Sequence, residues 1–277
     1  MVDRGLQEKH LGILVKNGSF QFSDSFFPYT SGEIGPYYVQ SADIMKDGND
    51  YAEAVKDMVK LITSSIPFSK IFDYSNNVIS GGESRDWIFS FPVAARLNAP
   101  HVMIYKDGKM LGPSLKDKYV IHVADLNNEG SSPRDKWVPA IRNSGGKIEN
   151  ILFYVDRMED GVKVMQDLGL ESHSLVPLDK NAWDYLKSKG IVNNDVYKNL
   201  INRMEDKHSW AINMLRSRKG FGKLVELFKD PKSLAKAAKI VNKGYPDLKD
   251  ELDKKLRENK IINLGDDIYA FQVPSRE

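Results

Sequence analysis

The chain has 277 residues, of which 41% are hydrophobic and 28% charged, and its formal net charge is +2. This balance suits one large domain, or one domain with a small second one, and gives no support to a nucleic-acid-binding protein. The lack of cysteine excludes disulfides and thiolate sites. The N-terminus has no signal-peptide core, and no window reaches the ~18 apolar residues of a membrane span, so a soluble, cytoplasmic protein is expected.

The N-terminal part predicts two helices separated by a hairpin. A leucine stripe predicts a first helix that ends at Asn17–Gly18. Residues 19–38 alternate aromatic and polar side chains and contain a turn at Ser31–Gly32, which indicates a β-hairpin. Residues 51–66 carry their apolar side chains on one helical face.

Strands and helices then alternate along the chain. Strands are predicted near Asn77–Ser80, His101–Tyr105, Tyr119–Asp125, Asn150–Asp156 and His173–Val176, and helices at Ser84–Leu97, Pro133–Asn143 and Gly161–Leu168. Strands separated by helices at this spacing predict an α/β fold with a parallel central sheet and crossover helices.

The composition changes after about residue 178. Residues 179–259 are rich in lysine and aspartate with helical patterns, and a short strand-like run, Ile268 to Val273, follows. The sequence therefore predicts a domain at 1–178, including an N-terminal hood, and a helical C-terminal extension at 179–277. The lysines of residues 216–260 are interleaved with acids, which favours a solvated helical face over nucleic-acid contact.

The most informative stretch is residues 119–132. An apolar strand ends in Asp125, a polar loop follows, and Ser132–Pro133 predicts a helix start with Ser132 as the N-cap. Backbone N–H groups at a helix start favour an anion, and a carboxylate at the strand end can accept sugar hydroxyls. The pattern predicts a ligand with a phosphate and a polyhydroxyl group.

Three further loops are predicted at the same carboxyl edge of the sheet. They are the loop with Gly81, Gly82 and Arg85, where glycines let the backbone approach an anion; the turn with Lys106 and Lys109; and the pair Asp156–Arg157. A glycine pair is often a plain turn, and Lys-Asp-Gly-Lys is ordinarily a surface hairpin. The convergence of basic residues on one edge favours a substrate with several phosphate charges.

These segments, in this order, resemble orotate phosphoribosyltransferase, a type I phosphoribosyltransferase, from about residue 10 to about residue 215. The resemblance is carried by Ser31-Gly32 with Pro36-Tyr37-Tyr38, by Tyr105-Lys106-Asp107-Gly108-Lys109, by Val123 to Ser132, which is similar to the phosphoribosyl pyrophosphate signature, by Asp156-Arg157, and by the helical segment from Asn181 to Met214.

The resemblance implies transfer of ribose 5-phosphate from phosphoribosyl pyrophosphate to orotate, a step of pyrimidine biosynthesis. It implies catalytic roles for Lys106 and Lys109 at the leaving pyrophosphate and for Asp125 at the ribose hydroxyls. It implies substrate contacts from Gly81, Gly82, Arg85, Asn128, Glu129, Gly130, Ser131 and Ser132, and base contacts from Tyr37, Tyr38 and Arg157. It also implies a homodimer and Mg²⁺ bridged by the substrate, with Asp125 as its one candidate protein contact.

The chain departs from the family pattern at several positions. The first acidic residue of the signature is Ala124, and Glu129 stands in the phosphate loop. A carboxylate about 6 Å from a phosphate would cost about 3 kcal/mol per unit charge at an effective dielectric near 20, so Glu129 is expected to point outward. Thr30 and Leu111 replace a lysine and a histidine. The alternative is therefore a protein of this fold that binds a nucleotide or phosphoribosyl ligand without turnover, as a regulator or partner subunit.

Overall fold

A computed structural model of the chain describes residues 3–67, 77–265 and 268–271. The chain divides into two compact units, one formed by residues 1–20 and 39–188 and the other by residues 21–38 and 189–277.

The first unit is built on a six-stranded sheet with the order β5-β4-β3-β6-β7-β8. All neighbouring strands are parallel except β4 and β5, which form an antiparallel hairpin. The strands are β3 (Asn77–Gly82), β4 (His101–Ile104), β5 (Met110–Leu111), β6 (Tyr119–Asn127), β7 (Lys147–Asp156) and β8 (Glu171–Pro177). The predicted strands and the α/β class are confirmed; the two-residue strand β5 was not predicted.

Helices connect and cover these strands. They are α1 (Arg4–Lys16), α2 (Gly48–Ser65), α3 (Trp87–Arg96), α4 (Val138–Asn143), α5 (Asp160–Asp167) and α6 (Lys180–Ser188), with a 3₁₀ turn at Ser41–Lys46 and a π-helical turn at Pro133–Trp137. Residues 150–156 of β7, which lies between β6 and β8, are buried throughout, as expected for a strand covered on both faces. Because β3 and β6 are parallel neighbours at the centre of the strand order, their carboxyl ends lie side by side in the middle of the sheet.

The second unit combines a hairpin with the C-terminal helices. The hairpin strands are β1 (Phe20–Pro28) and β2 (Ile34–Val39); the helices are α7 (Asn194–Glu205), α8 (Lys207–Arg216), α9 (Arg218–Lys229), α10 (Leu234–Lys239) and α11 (Lys249–Glu258), and β9 (Ile261–Gly265) pairs with β10 (Ile268–Phe271). Phe26 and Ile34 of the hairpin share one apolar core with these helices. The end of the predicted final strand, residues 272–273, lies outside the described residues.

The structure divides the chain differently from the predicted boundary at 178/179. Helix α6 belongs to the first unit, where Gln7 of α1 donates to the Pro177 carbonyl at 2.6 Å and to Asp179 at 2.9 Å. The hairpin predicted as a hood of the first domain belongs instead to the second unit. A boundary drawn from composition is contiguous, whereas the hairpin joins the helices through apolar packing over a long sequence separation.

Candidate functional site

The carboxyl end of β6 places Asp125 at the centre of the sheet edge. Its side chain is buried, Ser41 Oγ donates to its Oδ2 at 2.8 Å, and the Nε of Arg85 lies 3.6 Å from the same oxygen. Arg85 also donates from Nη1 to Gln40 Oε1 at 3.0 Å. The structure thus brings together two of the predicted site residues, Asp125 and Arg85, as a carboxylate facing a guanidinium.

Asp86 is a site residue that the sequence reasoning missed. Its Oδ1 accepts the main-chain N–H of Asp125 at 3.1 Å, and its Oδ2 accepts the N–H of Gly82 at 3.1 Å. Asp86 precedes the first residue of α3 and is buried. In the sequence, Asp86 lies within the helix predicted at Ser84–Leu97, so no local pattern distinguished it from an ordinary helical residue.

The electrostatic state of Asp125 follows from these neighbours. Burial, and then the nearby charge of Asp86, raise the pKa of Asp125 to about 7, although Arg85 and the Ser41 hydroxyl oppose the rise. Ionising both carboxyl groups in one buried site costs electrostatic free energy, because their like charges repel each other away from water. A ligand that donates hydrogen bonds or brings positive charge to Asp125 would stabilise its ionised form.

His122 completes this cluster on the side of the core. Its Nδ1 is hydrogen-bonded to Ser80 Oγ at 2.9 Å, its Nε2 lies 3.5 Å from Asp86 Oδ2, and its ring stacks on Trp137. The side chain is fully buried. His122 is therefore a core histidine whose Nδ1 has a hydrogen-bond partner, while its Nε2 makes no hydrogen bond within the described residues.

Gly81 and Gly82 do not lie in a loop as predicted, because they are the last two residues of β3. A Cβ on Gly81 would overlap the side chain of Ser90, and a Cβ on Gly82 would overlap the indole of Trp137. The Gly81 carbonyl accepts from Trp87 Nε1 at 2.9 Å. These glycines therefore serve close packing behind the site, a requirement that a sequence motif does not distinguish from anion binding.

The bend from Asn128 to Ser132 follows Asp125 and β6. The carbonyls of Asn128 and Gly130 accept hydrogen bonds from the N–H groups of Gly161 and Arg134, at 2.9 and 3.0 Å. Gly130 has a φ of 68°, a left-handed conformation that favours glycine. In the described part of the chain, no hydrogen bond to the protein is found from the main-chain N–H groups of residues 128–132. These five N–H groups can therefore donate to a bound anion.

Two details of this bend differ from expectation. Ser132 is not an N-cap: its backbone is already helical, with φ −65° and ψ −49°, and its side chain makes no capping hydrogen bond. The helical backbone begins at Ser131, because the turn is closed by the hydrogen bond from Arg134 to Gly130. Glu129 is partly exposed, and its charge acts on Arg134.

Lys106 and Lys109 lie on the turn between β4 and β5. The turn is tight, since the N–H of Tyr105 donates to the Lys109 carbonyl at 2.8 Å and the N–H of Gly108 donates to the Tyr105 carbonyl at 3.0 Å. Lys109 Nζ lies 5.8 Å from the centre of the Tyr105 ring, and the N–H of Lys106 donates to Glu83 Oε2 at 2.9 Å. The segment is therefore locally a surface hairpin, which is one of the two interpretations of its sequence.

Arg157 follows β7 and is buried. Its N–H donates to the Asn127 carbonyl at 3.0 Å, and its Nη2 lies 3.2 Å from Glu159 Oε1. The preceding Asp156 accepts from Asn127 Nδ2 at 3.0 Å, and burial raises its pKa. A ligand carboxylate at Arg157 would share the guanidinium with Glu159.

Tyr37 and Tyr38 lie on β2 and belong to the second unit. Tyr37 is buried, and its carbonyl accepts from the hydroxyl of Tyr29 at 2.6 Å. Tyr38 is 41% exposed, with its ring 6.5 Å from that of Phe27. Alternation along the strand therefore gives one tyrosine to the core and leaves the other accessible.

The donor set suits a cation that keeps most of its other ligands. In residues 3–67, 77–265 and 268–271, no group of three or more histidine, aspartate or glutamate side chains is arranged to hold a metal ion. Asp125 offers carboxylate oxygen at the sheet edge, and Mg²⁺ commonly binds through one or two carboxylates together with water and substrate phosphates. The residues present fit Mg²⁺ in that form.

The described part of the chain contains no helix with the length and apolar character that a membrane crossing requires.

No protein-family model matches the chain. Among curated proteins, it is 28% identical over 175 residues to an orotate phosphoribosyltransferase of Sulfolobus acidocaldarius, covering 61% of this chain and 84% of that protein. It is 26% identical over 208 residues to the enzyme of that name from Staphylothermus marinus, covering 71% and 94%. An adenine phosphoribosyltransferase of Butyrivibrio fibrisolvens is 24% identical over 167 residues, covering 57% and 88%.

Solved structures show the same fold. The chain aligns with orotate phosphoribosyltransferase from Aeropyrum pernix at a TM-score of 0.55 and 19% identity, over 65% of this chain and 99% of that one. It aligns with UMP synthase of Leishmania donovani at 0.62 and 15% identity, over 73% of this chain and 43% of that longer one. The relatives support phosphoribosyl transfer, a pentosyltransferase reaction, as the class of chemistry. In sequence and in fold, the chain is similar to orotate phosphoribosyltransferases, which confirms the resemblance seen in its motifs.

Proposed function

We propose that the chain transfers ribose 5-phosphate from phosphoribosyl pyrophosphate to orotate, giving orotidine 5′-monophosphate and pyrophosphate. The observation that carries this proposal is the position of Asp125 near the carboxyl end of β6, 3.6 Å from Arg85 and three residues before Asn128, where the bend begins. This edge of a parallel sheet is where α/β folds bind ligands. The curated relatives named orotate phosphoribosyltransferase support the choice of substrate.

The sugar-phosphate would lie across the bend. Asp125 would accept hydrogen bonds from the ribose hydroxyls, which compensates its carboxylate for the loss of water. The main-chain N–H groups of residues 128–132 would donate to the 5-phosphate, as backbone amides do at anion-binding bends. Glu129 would point its carboxylate away from the phosphate.

Charge neutralisation would assist departure of pyrophosphate. As the bond from the ribose C1′ to the pyrophosphate oxygen breaks, its electron pair leaves with pyrophosphate, while N1 of orotate bonds to C1′ and gives up its proton. Arg85, Lys106 and Lys109 would stabilise the negative charge that grows on the leaving group. These side chains act by position and charge, without a covalent intermediate.

Orotate carries a carboxylate, and Arg157 is the basic residue expected to meet it. Its guanidinium already faces Glu159 at 3.2 Å, so the carboxylate of orotate would share it with Glu159. The adenine phosphoribosyltransferase relative lends some support to a purine as the base. A comparison of the two bases therefore tests the finer part of the proposal.

We propose Mg²⁺ as the cofactor, with Asp125 as the protein residue that would help to hold it. When bound, it would supply positive charge to the pyrophosphate group. A homodimer is proposed from the family resemblance, and sedimentation of the purified chain would test it.

The decisive experiment measures product formation from phosphoribosyl pyrophosphate with orotate or with adenine, with and without Mg²⁺. We expect orotidine 5′-monophosphate with orotate, dependence on Mg²⁺, and no adenosine monophosphate. Faster reaction with adenine would overturn the orotate assignment. A folded sample that turns over neither base would reject catalysis.

A second candidate is a protein that binds phosphoribosyl pyrophosphate without turnover. The tight turn at residues 105–109 favours it, because hydrogen bonds within the turn hold Lys106 and Lys109 on a hairpin instead of a long loop. Titration calorimetry separates the candidates, since binding without product supports the binder and absence of binding contradicts both.

A further inference from the structure

The signature that resembles this chain has an acidic residue at the position of Ala124. Ala124 is buried in an apolar cluster that includes Trp137, Val138 and Ile141. Successive residues of a strand point to opposite faces, so Ala124 and Asp125 cannot share a face of β6. A carboxylate at position 124 would be buried among apolar side chains at high cost. Strand β6 alone therefore offers the site one carboxylate.

A second carboxylate reaches the same place from a different element. Asp86 stands at the start of α3 and accepts the N–H of Asp125 with one oxygen and the N–H of Gly82 with the other, both at 3.1 Å. It thereby ties the ends of β6 and β3 together. Both of its oxygens are engaged by the protein, whereas Asp125 uses its main-chain N–H for this contact and keeps its carboxylate for Ser41, Arg85 and a ligand.

Asp86 is surrounded by groups that can donate hydrogen bonds to it, beginning with the N–H groups of Gly82 and Asp125. His122 Nε2 lies 3.5 Å from Asp86 Oδ2. Arg85, the neighbouring cation, contacts Asp125. An amide at position 86 has a single acceptor oxygen, so it could hold only one of the N–H groups of Asp125 and Gly82.

We propose that Asp86 is a positioning residue: from the start of α3 it holds the main chain at Asp125 and so orients the Asp125 carboxylate toward the ribose hydroxyls of phosphoribosyl pyrophosphate. This inference rests on the proposed function.

Steady-state kinetics of Asp86→Asn, Asp125→Asn and the double variant test the role. We expect Asp86→Asn to lower kcat/KM for phosphoribosyl pyrophosphate about tenfold or more, since a charged hydrogen-bond partner is lost, and to leave KM for orotate within about twofold. Since Asp86 acts through Asp125, the double variant should be about as impaired as Asp125→Asn alone. Additive losses, or an equal effect on both substrates, would contradict positioning of the sugar.

The matched control is Asp167→Asn at the end of α5. The Asp167 side chain is 62% exposed and forms a surface ion pair with Lys163. It should behave as the unaltered chain.

If circular dichroism shows that Asp86→Asn does not fold, Asp86→Glu is measured instead. This variant keeps the carboxylate but displaces it, and an unaltered kcat/KM for phosphoribosyl pyrophosphate would overturn the inference. If the unaltered chain neither binds this substrate nor forms product, the proposed function fails. If it is active and Asp86→Asn matches it, only this inference fails.

Discussion

The indole of Trp137 occupies the space beside Gly82 where any larger residue would place its Cβ. Trp137 is buried in the π-helical turn that follows the bend, and Gly82 ends β3. The contact fixes the bend against the central strand, so the phosphate-facing backbone is positioned by packing behind it.

Gly82→Ala should therefore destabilise the chain by about 1–3 kcal/mol, because the added methyl group must displace a packed indole. Urea unfolding monitored by circular dichroism gives the free energy of unfolding. Gly48→Ala is the control, since a Cβ there would meet nothing within 4 Å, and it should change stability by less than about 0.5 kcal/mol. Equal stability of Gly82→Ala and the unaltered chain would contradict the tight contact.

Asp125→Asn should weaken binding of phosphoribosyl pyrophosphate by about 10- to 100-fold, the loss expected for hydrogen bonds to a charged acceptor. Calorimetric titration measures this without requiring turnover. Asp135→Asn, an exposed aspartate paired with Arg134 at 2.7 Å, is the control and should bind normally. An unchanged dissociation constant in Asp125→Asn would exclude its contact with the sugar.

Lys109→Ala should lower kcat by about tenfold or more while binding of orotate is retained, because the lysine would act on charge that grows in the transition state. The loss should shrink at high ionic strength, since an exposed charge is screened. Lys116→Ala, an exposed lysine outside the turn, serves as the comparison. A rate equal to that of the unaltered chain would remove Lys109 from the mechanism.

His101 should make stability depend on pH. Burial, and then the charge of His122, lower the pKa of His101 to about 4; its Nε2 is hydrogen-bonded to Ser90 Oγ at 2.9 Å and its ring stacks on Phe91. The unfolded chain binds the proton near pH 6.5, so the stabilisation is present above that pH and is lost as the pH falls toward 4.

Unfolding in urea at a series of pH values checks this expectation. His101→Gln should flatten the decline between pH 6.5 and 4, whereas His208→Gln, which alters a side chain that is 56% exposed, should preserve it. A decline of the same steepness in His101→Gln would assign the pH dependence to other groups.

Tyr245→Phe should destabilise the second unit by about 1–3 kcal/mol. The buried Tyr245 hydroxyl accepts the N–H of Ile34 at 3.1 Å, and its removal leaves that N–H without this acceptor. Thermal unfolding gives the Tm of Tyr245→Phe, which is compared with the Tm of Tyr38→Phe. The control removes the hydroxyl of a side chain that is 41% exposed. A Tm equal to that of the control would show that the hydrogen bond contributes nothing measurable.

The sequence predicted the sheet of the first unit because its strands are short apolar runs separated by helical patterns, signals that act over a few residues. It also predicted that Asp125 and Arg85 lie at one edge of the sheet, since a polar residue late in a buried strand, and an arginine after a glycine pair, are visible locally. It placed the hairpin turn at Ser31–Gly32 for the same reason.

Only the tertiary structure decided the partners of these residues. Asp86 meets Asp125 across 39 positions of sequence, Trp137 fills the space beside Gly82, and the hairpin joins the C-terminal helices through Phe26 and Ile34. Such contacts depend on which strands become neighbours and on how side chains fill the remaining volume. Local patterns set which segments are strands and helices, whereas burial of side chains distant in the sequence sets which carboxylates share a site and which glycines are required.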